Sequence, residues 1–365
     1  MTRVMHKRSV SKPDGRAMHL YAHAPVTIEG DVPVPPGAAP TPSPHLRWHP
    51  LRGEWVAYAG HRQHRTFLPP PEWDPLAPTV DPDAPTEVPR GTWEIAVFEN
   101  RFPTLFGGSH ERPELIVETA PGRGACEVVV YQQEATGSLG ALPLPRIEML
   151  IDVWADRTAE LGARDDVAYV FPFENRGVEV GVTLHHPHGQ IYAYPFVPPS
   201  AARELEQQRA YLHERGRGLL ERMIERELVD GRRVLYDGEG AVAFVPACAR
   251  WAYEVWVAPR RPAPRFDDLE RAERRDLARA LKTVLLKLDG LWSAPMPYML
   301  VFHQAPSDGA LHPEAHLHAE IYPALRLPGR LKYLAGSEIG AGVFTADTFP
   351  EEKAAELRAI EVRLA

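Results

Sequence analysis

The run His186-Pro187-His188-Gly189-Gln190 is the densest group of reactive side chains in the sequence. In an extended strand, side chains two residues apart project to the same face, so His186, His188 and Gln190 are expected to lie side by side. Gly189 has no Cβ, which lets a ligand or a neighbouring backbone approach closely at that point. The residue types alone allow a catalytic imidazole, a hydrogen-bonded structural pair or a pair of metal ligands.

The segments around this run have the hydrophobic patterns of strands and of an amphipathic helix. Strand patterns occupy residues 54–59, 92–98, 126–131 and 167–173. One helical face is formed by Ile147, Leu150, Ile151, Trp154 and Leu161. Two Pro-rich segments, 25–44 and 69–89, predict an extended arm and a long surface loop.

The order of helix, strand and histidine motif occurs twice in the chain. Leu277 follows Ile147 by 277 − 147 = 130 residues, and the same offset takes residues 186–192 to 316–322 (HLHAEIY). Leu277, Leu281, Val284, Leu285 and Leu288 mark the second helix, and residues 298–303 the strand after it. This repeat predicts two copies of one α/β unit, joined by a polar helix from about residue 201 to 228.

The run Phe173-Glu174-Asn175-Arg176-Gly177, followed by HPHGQIYA at 186–193, resembles the galactose-1-phosphate uridylyltransferase family. This family is a transferase branch of the histidine-triad superfamily, and the resemblance extends over about residues 45–352. It implies an α/β (α+β) fold of two histidine-triad-like halves related by internal duplication, each an antiparallel sheet with helices. The expected division is a Pro-rich N-terminal extension at 1–44, a catalytic half at 45–199 and a C-terminal half at 200–365.

The resemblance implies uridylyl transfer from UDP-glucose to galactose 1-phosphate or another hexose 1-phosphate, in galactose metabolism, by a ping-pong mechanism. His188 would be the nucleophile, preceded by His186, and Gln190 would hold a phosphoryl oxygen where a histidine-triad hydrolase typically has a third His. A glutamine cannot act as a general acid at pH 7, so it gives water or a leaving group little help. That chemistry fits a covalent uridylyl-histidine that waits for a second substrate.

The resemblance also implies two groups of substrate-binding residues. The residues matched to contacts with the nucleotide are Arg62, Arg65, Asn100, Asn175 and Thr183. Those matched to the hexose phosphate are Lys332, Tyr333, Gly336 and Glu338, in the sequence LKYLAGSE. Phe344 stands near the position at which family members contribute a Gln to the sugar, which leaves the preferred hexose open.

Metal ligands are the second departure from the family pattern. The better-known family members hold a zinc ion in the first half with two cysteines, a loop His and the first His of HPH. The matching positions here are Asp74 and Ala77 for the cysteines and Ala135 for the loop His. Only His186 remains as a ligand, so no zinc is expected there. Family members hold another metal in the second half. The matching residues here are Glu204, His303, His318 and Glu320, which could bind divalent iron or zinc or form a hydrogen-bonded polar group. The transfer itself requires no cofactor.

Two other functions remain open from the motifs. A nucleotidylyl phosphorylase, of dinucleoside polyphosphate or ADP-sugar type, would pass a nucleotide from His188 to phosphate. The nucleobase is left open because Arg101 stands where some uridylyl enzymes have an acidic residue. A non-catalytic protein could use HPH and HLHAE to bind a metal or a nucleotide.

The amino-acid composition limits the classes of partner that the protein is expected to bind. The 365 residues are 44% hydrophobic and carry a net charge of −8, which gives no general attraction for nucleic acid, and no apolar run long enough to span a membrane occurs. Cys126 and Cys248 are far apart and form no CxxC pair, which favours a reducing cytoplasm. The resemblance implies UDP-glucose and a hexose 1-phosphate as partners, and a homodimer whose active sites are completed across the interface.

Overall fold

The computed structural model describes residues 4–37, 41–64, 69 and 73–364. The strands of the N-terminal half are β1 His6–Ser11, β2 Ala17–Ala22, β3 Ile28–Glu29, β4 His45–His49, β5 Glu54–Tyr58, β6 Arg90–Gly91, β7 Ile95–Glu99, β8 Thr119–Pro121, β9 Ala125–Val130, β10 Tyr169–Arg176 and β11 His188–Tyr194. Those that follow are β12 Val234–Asp237, β13 Ala241–Phe244, β14 Val255–Pro259, β15 Tyr298–His303, β16 His318–Pro323, β17 Leu325–Leu327 and β18 Arg330–Leu331. The α-helices are α1 Leu144–Gly162, α2 Pro199–Arg215, α3 Leu219–Asp230, α4 Arg271–Gly290 and α5 Pro350–Arg358.

Eleven strands form one antiparallel sheet in the order β1-β2-β7-β9-β11-β10-β15-β16-β14-β13-β12. The two copies predicted from the 130-residue offset meet at β10 and β15, where Phe173 pairs with Val301 and Arg176 with Tyr298. In the first copy β11 lies between β9 and β10, and in the second β16 lies between β14 and β15. The α/β fold with antiparallel strands is therefore confirmed, and the two halves share a single continuous sheet.

Helices α1 and α4 pack against each other and cover one face of this sheet. Their apolar stripes are buried, including Leu150 and Trp154 in α1 and Leu281 and Leu285 in α4. Burying a side chain of this size stabilises the fold by about 1.5–3 kcal/mol. Both helices pack on the sheet face to which Val97, Val129 and Ile191 point. The opposite face of the sheet is therefore open to other elements and to cavities.

The N-terminal segment differs from the predicted extension. Residues 6–22 form a hairpin of β1 and β2, and β2 pairs with β7 through residues such as Met18 opposite Phe98. Leu20 and Tyr21 are completely buried. This segment therefore completes one edge of the main sheet, and the extended Pro-rich stretch begins only after it.

Two further predictions about local structure need correction. The single polar helix predicted for residues 201–228 is two helices, α2 and α3. Helix α2 ends at Arg215 because the next residue, Gly216, has a φ of +68°, the left-handed conformation that a glycine adopts easily. The Pro-rich loop lies at the surface over residues 80–84, as predicted, but its two ends are packed into the fold, since Leu76 and Val88 are buried. No helix in the described parts of the chain is long and apolar enough to cross a membrane.

Candidate active site

A cavity of about 230 Å³, here called the first cavity, lies on the sheet face opposite α1 and α4. Side chains at one level of four adjacent strands contribute to its floor: Phe98 of β7, Val128 of β9, Gln190 of β11 and Phe173 of β10. The structure brings six residues with predicted roles together around this cavity, namely Arg62, Asn100, Asn175, Thr183, His188 and Gln190. These residues come from five places in the N-terminal half: the turn at Gly60–His64, the end of β7, strand β10, the loop after it, and strand β11.

The imidazole of His188 has the orientation and charge state that a nucleophile needs. Its Nδ1 lies 2.7 Å from the backbone carbonyl of His186, an acceptor that fixes the N–H on Nδ1 and leaves the lone pair on Nε2. Burial lowers the pKa of His188, and the neighbouring His186 lowers it further, although the hydrogen bond to the carbonyl partly opposes this shift. The ring is therefore neutral at pH 7, with a free nitrogen that can attack.

His186 does not line the first cavity and is held from both sides. Its Nδ1 lies 2.6 Å from Asp74 Oδ2, and its Nε2 lies 2.9 Å from the carbonyl oxygen of Gln132. Both partners are acceptors, so each ring nitrogen that carries a hydrogen donates to the oxygen beside it. The side chain of His186 is 0% exposed and that of Asp74 is 20% exposed, so their contact is largely shielded from water.

Asp74 is the residue that sequence reasoning noted only as a missing zinc ligand. Burial by itself would raise its pKa, but the hydrogen bond and charge of His186, together with the backbone N–H groups of Leu76 and Ala77, outweigh this and lower it. The carboxylate of Asp74 is thus ionised beside the imidazole of His186. The signal in the sequence was a carboxylate at the position of one lost metal ligand, with His186 kept at the position of another.

Gln190 projects into the cavity from the same face of β11 as His188, as the strand pattern predicted. The close approach expected at Gly189 is made by the protein itself, by a neighbouring backbone and a tyrosine side chain. A Cβ at this position would lie 2.2 Å from the hydroxyl oxygen of Tyr131 and 3.0 Å from the carbonyl of Phe173. The glycine therefore makes room for a tyrosine that packs on the helix-covered face of the sheet, and no ligand is needed to explain it.

Residues at the far side of the cavity are fixed by contacts with the backbone. Arg62 donates from Nη1 to the carbonyl of Phe102 at 2.5 Å, and Asn100 Oδ1 accepts from the N–H of Phe102 at 2.8 Å. Both side chains keep further polar atoms for a ligand. Arg65, predicted to act with Arg62, lies outside the described residues.

The sugar segment, residues 332–338, does not reach the first cavity. Lys332 Nζ lies 3.2 Å from Glu338 Oε1, and Gly336 begins a single helical turn, Gly336–Ala341. Backbone N–H donors, with Lys332, lower the pKa of Glu338 to about 2. Tyr333 is 74% exposed. The four predicted sugar contacts are thus close to one another, and none of them lines the first cavity of the same chain.

Three of the four predicted metal ligands come together in the second half. Ligand atoms of Glu204, His303 and His318 lie within 4.8 Å of one another. His303 Nδ1 is buried without a hydrogen-bond partner among the described residues, although Glu204 Oε2 is 2.7 Å away. Burial lowers the pKa of His318 to about 4, so its ring is neutral and can coordinate a cation. These features fit a divalent metal.

Glu320, the fourth predicted ligand, is engaged elsewhere. Its Oε2 accepts a hydrogen bond from Arg250 at 3.2 Å and another from the Tyr322 hydroxyl. Its carboxylate oxygens lie 4.0 Å from His303 and 3.8 Å from His318, too far for a shared hydrogen bond. A second cavity, of about 240 Å³, lies beside this group and is lined by Glu204, Arg250, His303 and Tyr322.

Comparisons with known proteins agree with this arrangement. Residues 38–198 match the model for galactose-1-phosphate uridyl transferase, N-terminal domain, and residues 204–363 match that for its C-terminal domain. A galactose-1-phosphate uridylyltransferase of Thermotoga maritima is 36% identical over 325 residues, covering 87% of this chain and 99% of the relative. A solved uridylyltransferase structure has 35% identity and a TM-score of 0.78, covering 86% of this chain and 98% of its own. An ADP-glucose phosphorylase of Arabidopsis thaliana, solved with bound ADP-glucose, has 25% identity and a TM-score of 0.66, covering 88% of this chain and 100% of its own.

Proposed function

The chain belongs to the galactose-1-phosphate uridylyltransferase family, and from this premise we propose that it transfers a uridylyl group from UDP-glucose to a hexose 1-phosphate through a covalent intermediate on His188. The observation that carries the proposal is the pairing of a half-buried, neutral His188, whose Nε2 is free, with the amide of Gln190 in one cavity. A strong nucleophile next to a group that cannot protonate a leaving group suits transfer better than hydrolysis.

The first half-reaction forms one bond and breaks one. His188 Nε2 attacks the α-phosphorus of UDP-glucose, a P–N bond forms, and the bond from that phosphorus to the oxygen of glucose 1-phosphate breaks. The ring becomes positively charged, and its Nδ1–H continues to donate to the carbonyl of His186, which stabilises that charge. Gln190 donates its amide N–H to a phosphoryl oxygen as negative charge develops there.

In the second half-reaction a phosphate oxygen of the hexose 1-phosphate attacks the same phosphorus. The P–N bond breaks, the new UDP-hexose leaves, and the neutral imidazole of His188 is restored. Arg62 offers its guanidinium to the phosphates, while Asn100, Asn175 and Thr183 provide neutral hydrogen-bonding groups around the nucleotide. Atoms and charge balance over the two steps without a co-reactant.

The acceptor sugar needs residues that the first cavity lacks. We propose that the sugar segment of a second copy of the chain supplies Lys332, Tyr333, Gly336 and Glu338, and that the active unit is a homodimer. The exposed position of Tyr333 and the absence of this segment from the wall of the first cavity, among the described residues, support an arrangement across two chains. Contacts with a partner would also cover apolar side chains such as Ile339 and Val343, each at least 60% exposed.

A divalent metal, if bound, would be held by Glu204, His303 and His318. Its contribution would be structural, because it would cross-link α2, β15 and β16 in the second half. No step of the transfer passes through it. Glu320 remains a candidate for a fourth ligand only if its bonds to Arg250 and Tyr322 are released.

Isotope exchange tests the reaction class. The enzyme is incubated with UDP-glucose and labelled glucose 1-phosphate, with no galactose 1-phosphate present. The proposal predicts label in UDP-glucose, release of UMP much slower than exchange, and loss of exchange in the folded His188→Ala variant. Exchange in His188→Ala would contradict it, and rapid UMP release without exchange would indicate a hydrolase.

A second candidate is an ADP-sugar phosphorylase, favoured by the similarity to the plant enzyme solved with ADP-glucose. Its reaction would use the same His188 and replace the hexose 1-phosphate by inorganic phosphate. The exchange assay is therefore repeated with ADP-glucose, and with inorganic phosphate as the acceptor. Exchange with ADP-glucose but not with UDP-glucose would favour this candidate.

A further inference from the structure

The N-terminal extension, residues 4–37, lies before the region that matches the family model, yet one of its residues lines the first cavity and others bind residues that do. Pro33 and Pro35 are buried, and Pro35 lines the cavity. Arg101, another lining residue, donates from Nη2 to the carbonyl oxygens of Pro36, at 3.2 Å, and of Gly37. The extension therefore forms part of the wall and fixes one of the side chains that face the ligand.

The turn of the β1–β2 hairpin fixes the neighbouring part of the same wall. Lys12, whose side chain is 0% exposed, donates from Nζ to Glu87 Oε2 and to the Glu87 carbonyl, each at 2.6 Å. Arg16 donates to Glu87 Oε2 at 2.8 Å and to the carbonyl of Glu99 at 2.9 Å. Glu87 lines the cavity, and Glu99 immediately precedes Asn100 and Arg101.

One donor in this wall is left without a partner. Arg101 Nε is buried and has no hydrogen-bond partner among the described residues, although Nη2 of the same side chain is satisfied by the extension. An unsatisfied buried N–H costs free energy unless a ligand accepts from it. Because the guanidinium is held at its outer end, the direction of the Nε–H bond is fixed before a ligand arrives.

The position of Arg101 in the sheet indicates which part of a ligand it meets. It follows β7, which is separated from β11 by β9 alone, so it lies about 10 Å across the sheet from the strand that carries His188. The aromatic side chains of Trp73, Phe98 and Phe102 also line the first cavity. Aromatic rings stack on bases, so we place the nucleoside of a donor whose α-phosphorus is at His188 against this wall. The acceptors available there are ribose oxygens and the carbonyl oxygens of uracil.

We propose that the N-terminal extension is part of the donor site, and that Arg101, held by Pro36 and Gly37, binds a nucleoside oxygen of the uridylyl donor through Nε–H. This inference rests on the proposed function, since it takes UDP-glucose as the donor. It gives the extension a role in substrate affinity and no role in the chemical step.

Steady-state exchange kinetics test the inference. Arg101→Ala is expected to raise the KM for UDP-glucose by about 10-fold or more, with kcat changed far less, because a donor to bound substrate is lost and the nucleophile is not. Arg101→Lys retains the charge but has no Nε, so its KM is also expected to rise. Arg90→Ala is the matched control, because Arg90 is exposed and does not line the cavity. The KM of this variant for UDP-glucose should equal that of the wild type.

The outcomes separate this inference from the proposed function. An unchanged KM in Arg101→Ala, or a wild-type KM in Arg101→Lys, would overturn the role of Arg101 while exchange by the wild type still supported the transferase. If the wild type catalyses no exchange, equilibrium binding of UMP to the wild type and to Arg101→Ala tests the inference directly, and equal affinities overturn it. Measuring the same variants with ADP-glucose distinguishes the two kinds of hydrogen-bond acceptor. If Arg101→Ala raises the KM for ADP-glucose and for UDP-glucose equally, Arg101 binds the ribose; if the rise is larger for UDP-glucose, it binds the uracil.

Discussion

His188 and Gln190 show how much a strand pattern can determine about single residues. Alternation along β11 directs both side chains to one face, and that face is the floor of the first cavity. The partners that set the state of these residues come from elsewhere in the chain. His188 depends on the carbonyl of His186, and His186 in turn depends on Asp74, 112 residues earlier.

The pair of Asp74 and His186 leads to a prediction about the nucleophile. Asp74→Ala leaves a buried imidazole without its charged partner, and we expect a loss of about 1.5–3 kcal/mol in the free energy of unfolding. The carbonyl that orients His188 then loses part of its support, so kcat for exchange should fall more than KM rises. Urea denaturation and exchange kinetics measure the two effects.

Asp83→Ala is the control for Asp74→Ala, since Asp83 is an exposed carboxylate of the same loop. It should leave stability and kcat unchanged. Wild-type values of both quantities in Asp74→Ala would show that the pair does not position the nucleophile.

Within strand β10, side chains on the two faces have different environments. Asn175 lines the first cavity, whereas Glu174 is buried on the other side, where Tyr298 donates to its Oε2 at 3.2 Å. Burial raises the pKa of Glu174 to about 8, against the small opposing effects of Arg176 and Tyr298. This carboxyl is therefore largely protonated at pH 7 in the folded protein and ionised in the unfolded chain.

The raised pKa predicts how stability depends on pH. Between the unfolded pKa of about 4.3 and the folded value, the folded state binds more protons than the unfolded state, so the free energy of unfolding decreases as the pH rises, by at most about 1.4 kcal/mol per pH unit. Glu174→Gln removes this pH-dependent contribution to the free energy of unfolding. We expect the variant to gain stability relative to the wild type between pH 5 and pH 8, measured by urea denaturation at several pH values.

Glu179→Gln provides the comparison for Glu174→Gln, because Glu179 is exposed and close in sequence. Its stability profile should follow that of the wild type. A Glu174→Gln profile parallel to the wild type over the same pH range would contradict the assignment.

At the scale of the whole molecule, the first cavity is lined by His188 but by no residue of the sugar segment, residues 332–338. The two-chain arrangement proposed above predicts complementation between two inactive variants, His188→Ala and Glu338→Gln. In a heterodimer, one site combines the intact His188 of one chain with the intact Glu338 of the other. Random pairing of equal amounts should therefore restore about a quarter of the wild-type activity in UDP-galactose formation from galactose 1-phosphate.

The two variants are unfolded together and refolded as a mixture, and each alone is the control. Activity no higher than the sum of the controls would mean that both residues act within one chain or that the sugar segment is not used. Co-refolding wild type with His188→Ala calibrates the recovery expected from mixing itself.

The sequence alone determined the features that depend on local patterns. Hydrophobic alternation identified β5, β7, β9, β10 and β15, and helical spacing identified α1 and α4, because these periods are imposed by the backbone geometry itself. The 130-residue offset revealed the duplication for the same reason, since both copies preserve one pattern. The motif around His188 was sufficient to indicate the family.

Only the tertiary structure decided the contacts between distant segments. Pairing of β10 with β15 joins the halves, Tyr131 explains Gly189, and the N-terminal extension reaches the first cavity through Arg101. The boundaries at residues 44 and 199 stay a prediction. Local periodicity records which face of an element is buried, but it does not record the partner that buries it. That partner is selected by packing and hydrogen bonding across the whole sheet, which no short segment of the sequence contains.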